Sequence, residues 1–239
     1  MEIDGAVMIV TGASSGIGAA TARLAAHEGA VVVLAARREE RLRALEAELP
    51  GSLAVPTDMR DSNAIIRLVQ TTVDRFGRID VLVNNAGQGL HVPVEQLQLD
   101  DLIAVTQLNF YAPMLAMQAV VPIMRRQGGG AIVNVSSATT KMVLPGVGGY
   151  SATKAALNML SEVARREFEP DGIVVSLVQP AVTATEFHSS LRAGARVGGG
   201  WGGPPPDPPE KVAEAIIGVI HSGEPEVMVR EFSGRPPGR

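Results

Sequence analysis

The chain has 239 residues, 46% of them hydrophobic, with a formal net charge of −4 and no cysteine, so it is long enough for one large α/β domain or two small ones. The absence of thiols excludes disulfides, thiolate metal sites and cysteine nucleophiles, while the scattered histidines predict no metal site and the acidic balance argues against a nucleic-acid partner. No apolar run approaches the roughly 20 residues of a membrane span and no basic segment opens a signal peptide, so we expect a soluble, cytoplasmic protein with no membrane partner.

Short apolar segments alternate with longer amphipathic segments along the chain. In chain order, the apolar segments predict seven strands at residues 6–10, 31–35, 52–56, 81–83, 131–135, 173–178 and 226–229. The amphipathic segments predict helices at residues 17–27, 39–49, 62–76, 100–127, 150–167 and 211–221. Strands that alternate with helices of this length form a parallel sheet with helices on both faces. We therefore predict an α/β fold, a single doubly wound, seven-stranded, Rossmann-like domain that covers residues 1–239.

Two segments near the C-terminus interrupt this alternation. Residues 194–209 include Gly198-Gly199-Gly200 and Pro204-Pro205-Pro206, which oppose regular structure. Long irregular segments inside a compact domain are commonly functional loops, so we predict that residues 186–209 form a lid over the substrate. Residues 233–239 are predicted to be a flexible tail.

A glycine-rich turn follows the first predicted strand and opens the first predicted helix. It reads Thr11-Gly12-Ala13-Ser14-Ser15-Gly16-Ile17-Gly18. Glycines allow the backbone to approach a pyrophosphate closely, and the helix N-terminus supplies oriented N–H groups. The spacing G-x-x-x-G-x-G differs from the common G-x-G-x-x-G fingerprint, and an ordinary βα turn is the alternative. We predict that a nucleotide is bound by Gly12, Ser14, Ser15, Gly16, Ile17 and Gly18.

Tyr150 and Lys154 form a second motif, because residues at i and i+4 lie on one face of a helix. A phenol has an unperturbed pKa of about 10, and a nearby ammonium lowers that pKa toward neutral pH. The pair is therefore a candidate proton donor to a carbonyl oxygen. The alternative is a surface helix that carries both residues by chance.

Together with Asn84-Asn85-Ala86-Gly87 after the fourth predicted strand, these motifs resemble the short-chain dehydrogenase/reductase family over residues 6–229. The resemblance implies that Tyr150 exchanges a proton with the substrate oxygen and that Ser137, rather than the neighbouring Ser136, donates a hydrogen bond to it. Lys154 would lower the pKa of Tyr150 and bind the nicotinamide ribose. Asn109 would hold a water beside Lys154. The implied catalytic set is Asn109, Ser137, Tyr150 and Lys154.

The same resemblance implies how a nicotinamide cofactor is held. The turn after the fourth strand would lie beside the adenosine, and the loop after the sixth strand beside the nicotinamide. In that loop Ala181 replaces the usual glycine, which puts the path of the backbone in question. Asp58 resembles the adenine-binding aspartate of the family, although it could instead cap the following helix. The implied contacts are Asp58, Met59, Asn85, Ala86, Gly87, Tyr150, Lys154, Pro180, Val182 and Thr185.

The end of the second predicted strand bears on the choice between NAD and NADP. A carboxylate at this point would bind the 2′-hydroxyl of NAD, but the chain has Ala36 there, followed by Arg37 and Arg38. A guanidinium matches the geometry of a phosphate, and Ser14 and Ser15 could add hydroxyl contacts. The alternative is a solvated helix start, although positive charge is unfavourable at a helix N-terminus. We predict a preference for NADP(H).

These observations predict an NADP(H)-dependent oxidoreductase that transfers hydride between nicotinamide and the carbonyl or secondary alcohol of a mainly apolar small molecule. Two alternatives remain. One is a 3-oxoacyl-thioester reductase, for which Arg192 and Arg196 are the only basic candidates near the pocket mouth. The other is a catalytically silent NADPH-binding sensor or scaffold.

Apolar stretches at residues 114–124 and 155–163 lie in helices that pair between subunits in the family, so we expect a homodimer or homotetramer.

Overall fold

A computed structural model describes residues 1–195 and 205–230 of the chain. Within these residues, seven parallel strands form one sheet, which confirms the predicted doubly wound fold. The strands are β1 (Val7–Thr11), β2 (Val31–Ala36), β3 (Leu53–Pro56), β4 (Val81–Asn84), β5 (Gly130–Val135), β6 (Ile173–Gln179) and β7 (Glu226–Met228). Their order in the sheet is β3-β2-β1-β4-β5-β6-β7. Each overlaps a predicted strand and differs from it by at most one residue at either end.

Helices cover both faces of the sheet because successive side chains of each buried strand point to opposite sides. The helices are α1 (Gly16–His27), α2 (Glu39–Glu48), α3 (Ser62–Phe76), α4 (Leu99–Thr106), α5 (Ala112–Gln127), α6 (Gly148–Phe168) and α7 (Pro209–Ser222). In β1, Met8 and Val10 pack with α1, α2 and α7, whereas Val7 and Ile9 pack with α3, α5 and α6. The central strands are therefore mainly apolar rather than regularly alternating with polar residues.

The long helix predicted at residues 100–127 is interrupted. A π-helical turn, Gln107–Tyr111, separates α4 from α5. A π-turn inserts one residue into the local hydrogen-bond pattern, and such turns are frequent at functional sites. The prediction of an uninterrupted α-helix was therefore wrong at this turn. The insertion carries Asn109, which is completely buried.

The order of the strands reverses between β1 and β4. From this point β2 and β3 extend to one side of the sheet, and β5, β6 and β7 extend to the other. In open α/β sheets, ligands bind in the crevice outside the carboxyl ends of the strands at such a switch point. The turns that follow these strands are therefore the expected location of the site.

Both described parts of the predicted lid are hydrogen-bonded to the body of the domain. The N–H of Arg192 donates to the carbonyl of Gly89 at 2.8 Å, and the N–H of His91 donates to the carbonyl of Ala193 at 3.1 Å. Further along, the N–H of Asp207 donates to the Val182 carbonyl at 2.9 Å. Residues 196–204 of the lid and the predicted tail, residues 233–239, lie outside the described residues.

Short turns of 3-10 helix were not predicted from the sequence. They are too brief to show a hydrophobic period, and they lie at Val94–Gln96, Ala138–Thr140, Glu169–Asp171 and Glu186–Ser189. In the two described ranges, no helix is both long enough and apolar enough to cross a bilayer.

Candidate active site

A cleft of about 1240 Å³ follows the carboxyl edge of the sheet, and the turns after the first six strands contribute to its lining. Ligand pockets commonly measure roughly 300–1,000 Å³, so this cleft has room for a dinucleotide and a small second molecule. The predicted cofactor-binding residues that line it are Gly12, Ser14, Ser15, Gly16, Ile17, Arg37, Arg38, Asp58, Met59, Asn85, Ala86, Gly87, Tyr150, Lys154, Pro180, Val182 and Thr185.

Gly18 is the exception among these predictions, because it lies beneath the glycine-rich turn and does not line the cleft. A β-carbon at Gly18 would lie 2.4 Å from the carbonyl oxygen of Gly12 and 2.6 Å from Nδ2 of Asn85. Any side chain at this position would push α1 away from the turn. The structure therefore assigns Gly18 to close packing of the turn rather than to contact with a ligand.

The N-terminus of α1 opens onto the cleft. Gly12 and Gly16 have φ values of +69° and +54°, a region that other residues rarely adopt. Ser15, just before α1, makes no side-chain cap, and the first turn contains no acidic residue. The first N–H groups of a helix lack partners within the helix and favour an anion. This turn therefore fits the pyrophosphate of a dinucleotide.

Thr11 joins the glycine-rich turn to the end of β4. Its hydroxyl donates to the carbonyl of Val83 at 3.1 Å and accepts from the N–H groups of Asn85 and Ala86 at 3.0 and 3.1 Å. Asn85 Nδ2 in turn donates to the Thr11 carbonyl at 2.8 Å. These bonds fix the two turns that flank the switch point. The sequence predicts Thr11 at the start of the glycine-rich turn and indicates no role for it; the structure places its hydroxyl at the last position of β1.

Tyr150 lies in the first turn of α6 with only 6% of its surface exposed. Burial raises the pKa of its phenol to about 12, and a hydrogen bond with Ser137 opposes part of that rise. Ser137 also accepts hydrogen bonds from the N–H and the hydroxyl of Thr139 at 3.2 and 3.0 Å. The structure thus brings Ser137 and Tyr150 together and keeps the phenol protonated at neutral pH.

Lys154 lies one turn further along α6, where its Nζ donates to the carbonyl of Val135 at 2.8 Å. Burial lowers the pKa of Lys154 to about 8. The net rise in the pKa of Tyr150 comes from burial, and the expected lowering of that pKa by Lys154 stays a prediction. Both groups are removed from water, and the loss of hydration disfavours the charged form of each.

Asn109 lies behind the wall of the cleft and is hydrogen-bonded to it. Its Oδ1 accepts from the N–H of Gln88 at 2.9 Å, and its Nδ2 donates to the Gln88 carbonyl at 3.0 Å and to the Thr153 hydroxyl at 3.1 Å. A β-carbon at Gly87 would lie 3.3 Å from Asn109 Oδ1 and 3.5 Å from Lys154 Nζ. Asn109 is therefore close to Lys154 but does not line the cleft. The water expected between them stays a prediction.

Arg38 contacts the glycine-rich turn directly. Its Nε and Nη2 donate to the Ser14 hydroxyl at 3.1 and 3.0 Å, and Nη2 also donates to Ser15 at 2.6 Å. Arg37 is exposed and lines the cleft beside it. The predicted cluster of two arginines and two serines is thus assembled at one end of the cleft. Arg38 also pairs with Glu186, a contact that the sequence did not predict.

Asp58 lines the same end of the cleft. It forms an ion pair with Arg60 at 2.7 Å, and hydrogen bonding from Arg60 lowers the pKa of the carboxyl group. The alternative role of Asp58 as a helix cap is not observed. Asp61 caps α3 instead, by accepting from the N–H of Asn63 at 2.8 Å.

The loop after β6 closes the cleft on the opposite side. The carbonyl of Pro180 accepts from the N–H of Ala138 at 2.9 Å. No non-glycine residue in the described ranges has a positive φ, so Ala181 is accommodated without strain despite replacing a glycine. Thr185 packs on the glycine-rich turn, since a β-carbon at Gly16 would lie 2.9 Å from its Cγ2.

The cleft beside Tyr150 is mainly apolar and aromatic. The ring centroids of Phe187 and His91 lie 5.6 and 6.4 Å from that of Tyr150, each in an edge arrangement. Met142 and Thr139 also line the cleft. Burial lowers the pKa of His91, which disfavours the charged form of its imidazole. The wall therefore suits a small molecule with a largely apolar surface.

Known proteins resemble this chain in both sequence and structure. The family model for short chain dehydrogenase matches residues 6–196. A 3-oxoacyl-[acyl-carrier-protein] reductase from Synechocystis sp. is 37% identical over 192 residues, which cover 78% of this chain and 78% of that protein.

Two solved structures share the fold and contain nicotinamide cofactors. A short chain dehydrogenase/reductase from Burkholderia phymatum in complex with NAD has a TM-score of 0.86 at 25% identity and covers 96% of this chain and 90% of that one. An alcohol dehydrogenase from the archaeon Thermococcus sibiricus, complexed with 5-hydroxy-NADP, has a TM-score of 0.84 at 26% identity and covers 98% and 100%. Both types of cofactor occur on this fold, so the choice between them depends on each chain's own residues.

Proposed function

This chain belongs to the short-chain dehydrogenase family, and from that premise we propose that it is an NADP(H)-dependent oxidoreductase. Its substrate is the carbonyl, or in reverse the secondary alcohol, of a mainly apolar small molecule. The observation that carries this proposal is that the glycine-rich turn, Ser137, Tyr150 and Lys154 line the same cleft. The cleft unites a phosphate-binding element with a proton donor.

The cofactor, when bound, supplies or accepts the hydride at the substrate carbon. Tyr150 gives the proton to the substrate oxygen, and its phenol is in the protonated form that a donor needs at neutral pH. Ser137 shares a hydrogen bond with Tyr150 and donates to the same oxygen as negative charge develops there. These two residues hold and move the proton, while the aromatic wall excludes water.

Lys154 and Asn109 support this chemistry without contacting the reacting carbon. We propose that Lys154 binds the nicotinamide ribose hydroxyls, because its ammonium has three donors and one of them is engaged with Val135. Asn109 positions the backbone at Gln88, next to the turn that follows β4. Its role is therefore to hold the wall against which Lys154 lies.

The preference for NADP(H) rests on the residues that follow β2. The strand ends at Ala36 without a carboxylate, and Arg37 and Arg38 line the cleft immediately afterwards. Ser14 and Ser15 hold the Arg38 guanidinium over the glycine-rich turn. This arrangement suits a 2′-phosphate, which a guanidinium binds through paired hydrogen bonds.

A substrate panel tests the proposed activity. Consumption of NADPH is measured spectroscopically against ketones, diketones, quinones and β-keto acyl thioesters, with NADH as the comparison cofactor. We expect carbonyl-dependent consumption and a higher kcat/KM with NADPH. Tight NADPH binding without turnover of any carbonyl would instead support a silent sensor or scaffold, and a higher kcat/KM with NADH would contradict the proposed preference.

One specific observation favours reduction of 3-oxoacyl thioesters as a second candidate function. The similar protein from Synechocystis sp. carries that activity in its name. An acidic carrier protein would need a basic surface near the pocket mouth. However, Arg192 is paired with Asp101 at 2.7 Å, and Arg196 lies outside the described residues. The thioester members of the panel distinguish this candidate from a small-molecule reductase.

We also propose that the protein forms a homodimer or homotetramer. Residues 155–163 lie in α6, but residues 114–124, the other stretch expected to pair between subunits, lie in α5, where their large apolar side chains are buried or half-buried within the chain. We therefore assign the contact to α6 and to α4 instead of α5. These helices pack against each other, and large apolar side chains on both are exposed. Ile103 in α4 is 45% exposed, and Met159 and Val163 in α6 are 62% and 45% exposed. Exposed large apolar side chains on two adjacent helices are typical of protein–protein contact surfaces.

A further inference from the structure

Two arginines after β2 are held by a carboxylate that comes from the other half of the sheet. Glu186 opens the short 3-10 turn, Glu186–Ser189, in the loop after β6. Arg38 Nη1 donates to Glu186 Oε2 at 2.7 Å, and Arg41 Nη1 donates to Oε1 and Oε2 at 2.8 and 2.9 Å. The contact thus spans the crevice in which a dinucleotide of the proposed type would lie.

All three nitrogens of the Arg38 guanidinium are engaged by these contacts. Nε and Nη2 donate to Ser14 and Ser15, and Nη1 donates to Glu186. A phosphate that binds a guanidinium through two parallel hydrogen bonds needs one free edge of that group. A phosphate arriving at Arg38 must therefore displace either the serines or the carboxylate.

Of the partners of Arg38, the Glu186 carboxylate is the one that a phosphate can replace, because both groups are anions that accept hydrogen bonds from arginine. Glu186 accepts hydrogen bonds from two guanidinium groups, which is also how arginine pairs bind a phosphate. The hydrogen bonds from Arg38 and Arg41 lower the pKa of Glu186 to about 2, so the carboxylate is charged at neutral pH. A phosphate brings more negative charge to the same donors.

We propose that Glu186 is a specificity-determining residue, whose carboxylate occupies the place of a cofactor 2′-phosphate on Arg38 and Arg41. This inference rests on the proposed binding of a nicotinamide dinucleotide in the cleft. NADPH must displace Glu186 from the arginines, whereas NADH, which has no 2′-phosphate, leaves the contact in place. Glu186 therefore lowers the affinity for NADPH relative to NADH.

The same turn also contributes to the substrate side of the cleft. Phe187 follows Glu186 directly, and its ring lies 5.6 Å from that of Tyr150. The contact with the arginines and the wall beside Tyr150 are therefore formed by two consecutive residues.

Equilibrium binding of the two cofactors to the full chain tests this inference. Kd values for NADPH and NADH are measured by cofactor fluorescence with the wild type, Glu186→Gln and the control Glu48→Gln. Glu48 forms an exposed ion pair with Arg23 on the protein surface, and neither residue lines the cleft. For Glu186→Gln we expect NADPH to bind about three- to tenfold more tightly, the range that two exposed ion pairs support.

The expected change is selective for NADPH. The Kd for NADH should change by less than about twofold in Glu186→Gln, and neither Kd should change in the control. Unchanged or weaker NADPH binding by Glu186→Gln would overturn the inference, and weaker binding would mean that the contact closes over the cofactor. An equal gain for NADH and NADPH would also overturn it, because the effect would not depend on the phosphate.

The same titration separates this inference from the proposed NADP(H) preference. A wild type that binds NADH as tightly as NADPH contradicts the preference, but a selective gain in Glu186→Gln would still support the inference. A wild type that prefers NADPH, with no selective gain in the variant, overturns the inference alone. The Kd for NADH in the variant shows that the cleft is folded.

Discussion

At the scale of single residues, the candidate site depends on two ionisable groups whose charged forms are destabilised by burial. Tyr150 and Lys154 are 6% and 4% exposed, and burial moves their pKa values in opposite directions, to about 12 and about 8. A buried ammonium costs stability unless it is discharged. Active sites commonly retain such costs because the chemistry needs the group.

Replacement of Lys154 should therefore stabilise the fold. The pKa of Lys154 falls from 10.5 to about 8 on folding. Between about pH 8 and pH 10.5, the side chain is therefore protonated in the unfolded chain and deprotonated in the folded chain. Wild-type stability consequently rises with pH through this window, and the full cost is present below pH 8. We expect Lys154→Met to raise the free energy of unfolding at pH 7 by about 2 kcal/mol, after allowance for the lost hydrogen bond to Val135.

Urea unfolding at pH 7 and near pH 10 checks this prediction. The advantage of Lys154→Met should shrink as the pH rises through the window from about 8 to 10.5. Lys141→Met is the control, because Lys141 is a half-exposed lysine whose replacement should change stability by less than about 0.5 kcal/mol. A pH-independent difference, or a variant less stable than the wild type at pH 7, would contradict the account.

At the scale of elements, the glycine-rich turn is held in place by the close approach of α1. The sequence predicted the turn, its glycines and its role at a helix N-terminus. It did not separate Gly18, which allows close packing, from Gly12 and Gly16, which line the cleft. That distinction depends on Asn85, which reaches Gly18 only when β1 and β4 are adjacent in the sheet.

Two glycine-to-alanine substitutions in helices test this role of Gly18. A β-carbon at Gly18 would lie 2.4 Å from the carbonyl oxygen of Gly12, whereas one at Gly218 in α7 would meet nothing within 4 Å. We expect Gly18→Ala to lower the free energy of unfolding by roughly 1–3 kcal/mol and to weaken NADPH binding. Gly218→Ala should raise the free energy of unfolding by about 0.5–1 kcal/mol. Equal stability of the two variants, measured by urea unfolding, would refute this assignment.

The π-turn shows why part of the site could not be predicted from the sequence. Residues 100–127 carry a helical pattern throughout, and one inserted residue at Gln107–Tyr111 leaves that pattern almost unchanged. The hydrogen bonds of Asn109 with Gln88 and Thr153 become visible only in three dimensions. The family resemblance pointed to Asn109, but not to the irregular backbone that places it.

At the scale of the whole molecule, the alternation of apolar and amphipathic segments was sufficient to predict the sheet. The central strands β1, β2, β4 and β5 are buried on both faces, so their apolar runs are nearly continuous and easy to recognise. Contacts between surface residues that are far apart in the sequence leave no such periodic pattern. Glu186 meets Arg38 and Arg41 across 148 and 145 residues of sequence, and nothing in the sequence alone indicated that pairing.

The exposed apolar residues of α4 and α6 give a prediction at this scale. Light scattering should report a dimer or tetramer, and Met159→Asp should shift the mass toward the monomer, because it places a charge in the proposed contact. Ile66→Asp is a control in α3, where a similarly exposed side chain lies outside that contact. A monomeric wild type would contradict the proposed assembly.

The central claim is that Tyr150 supplies the proton for carbonyl reduction in a cleft that binds NADPH. Comparison of Tyr150→Phe with the wild type tests it most directly, because phenylalanine retains the ring that packs against His91 and Phe187. We expect kcat for the best carbonyl of the panel to fall by at least ~100-fold, while the Kd for NADPH changes by less than about threefold. A variant that keeps most of the wild-type kcat would contradict the claim.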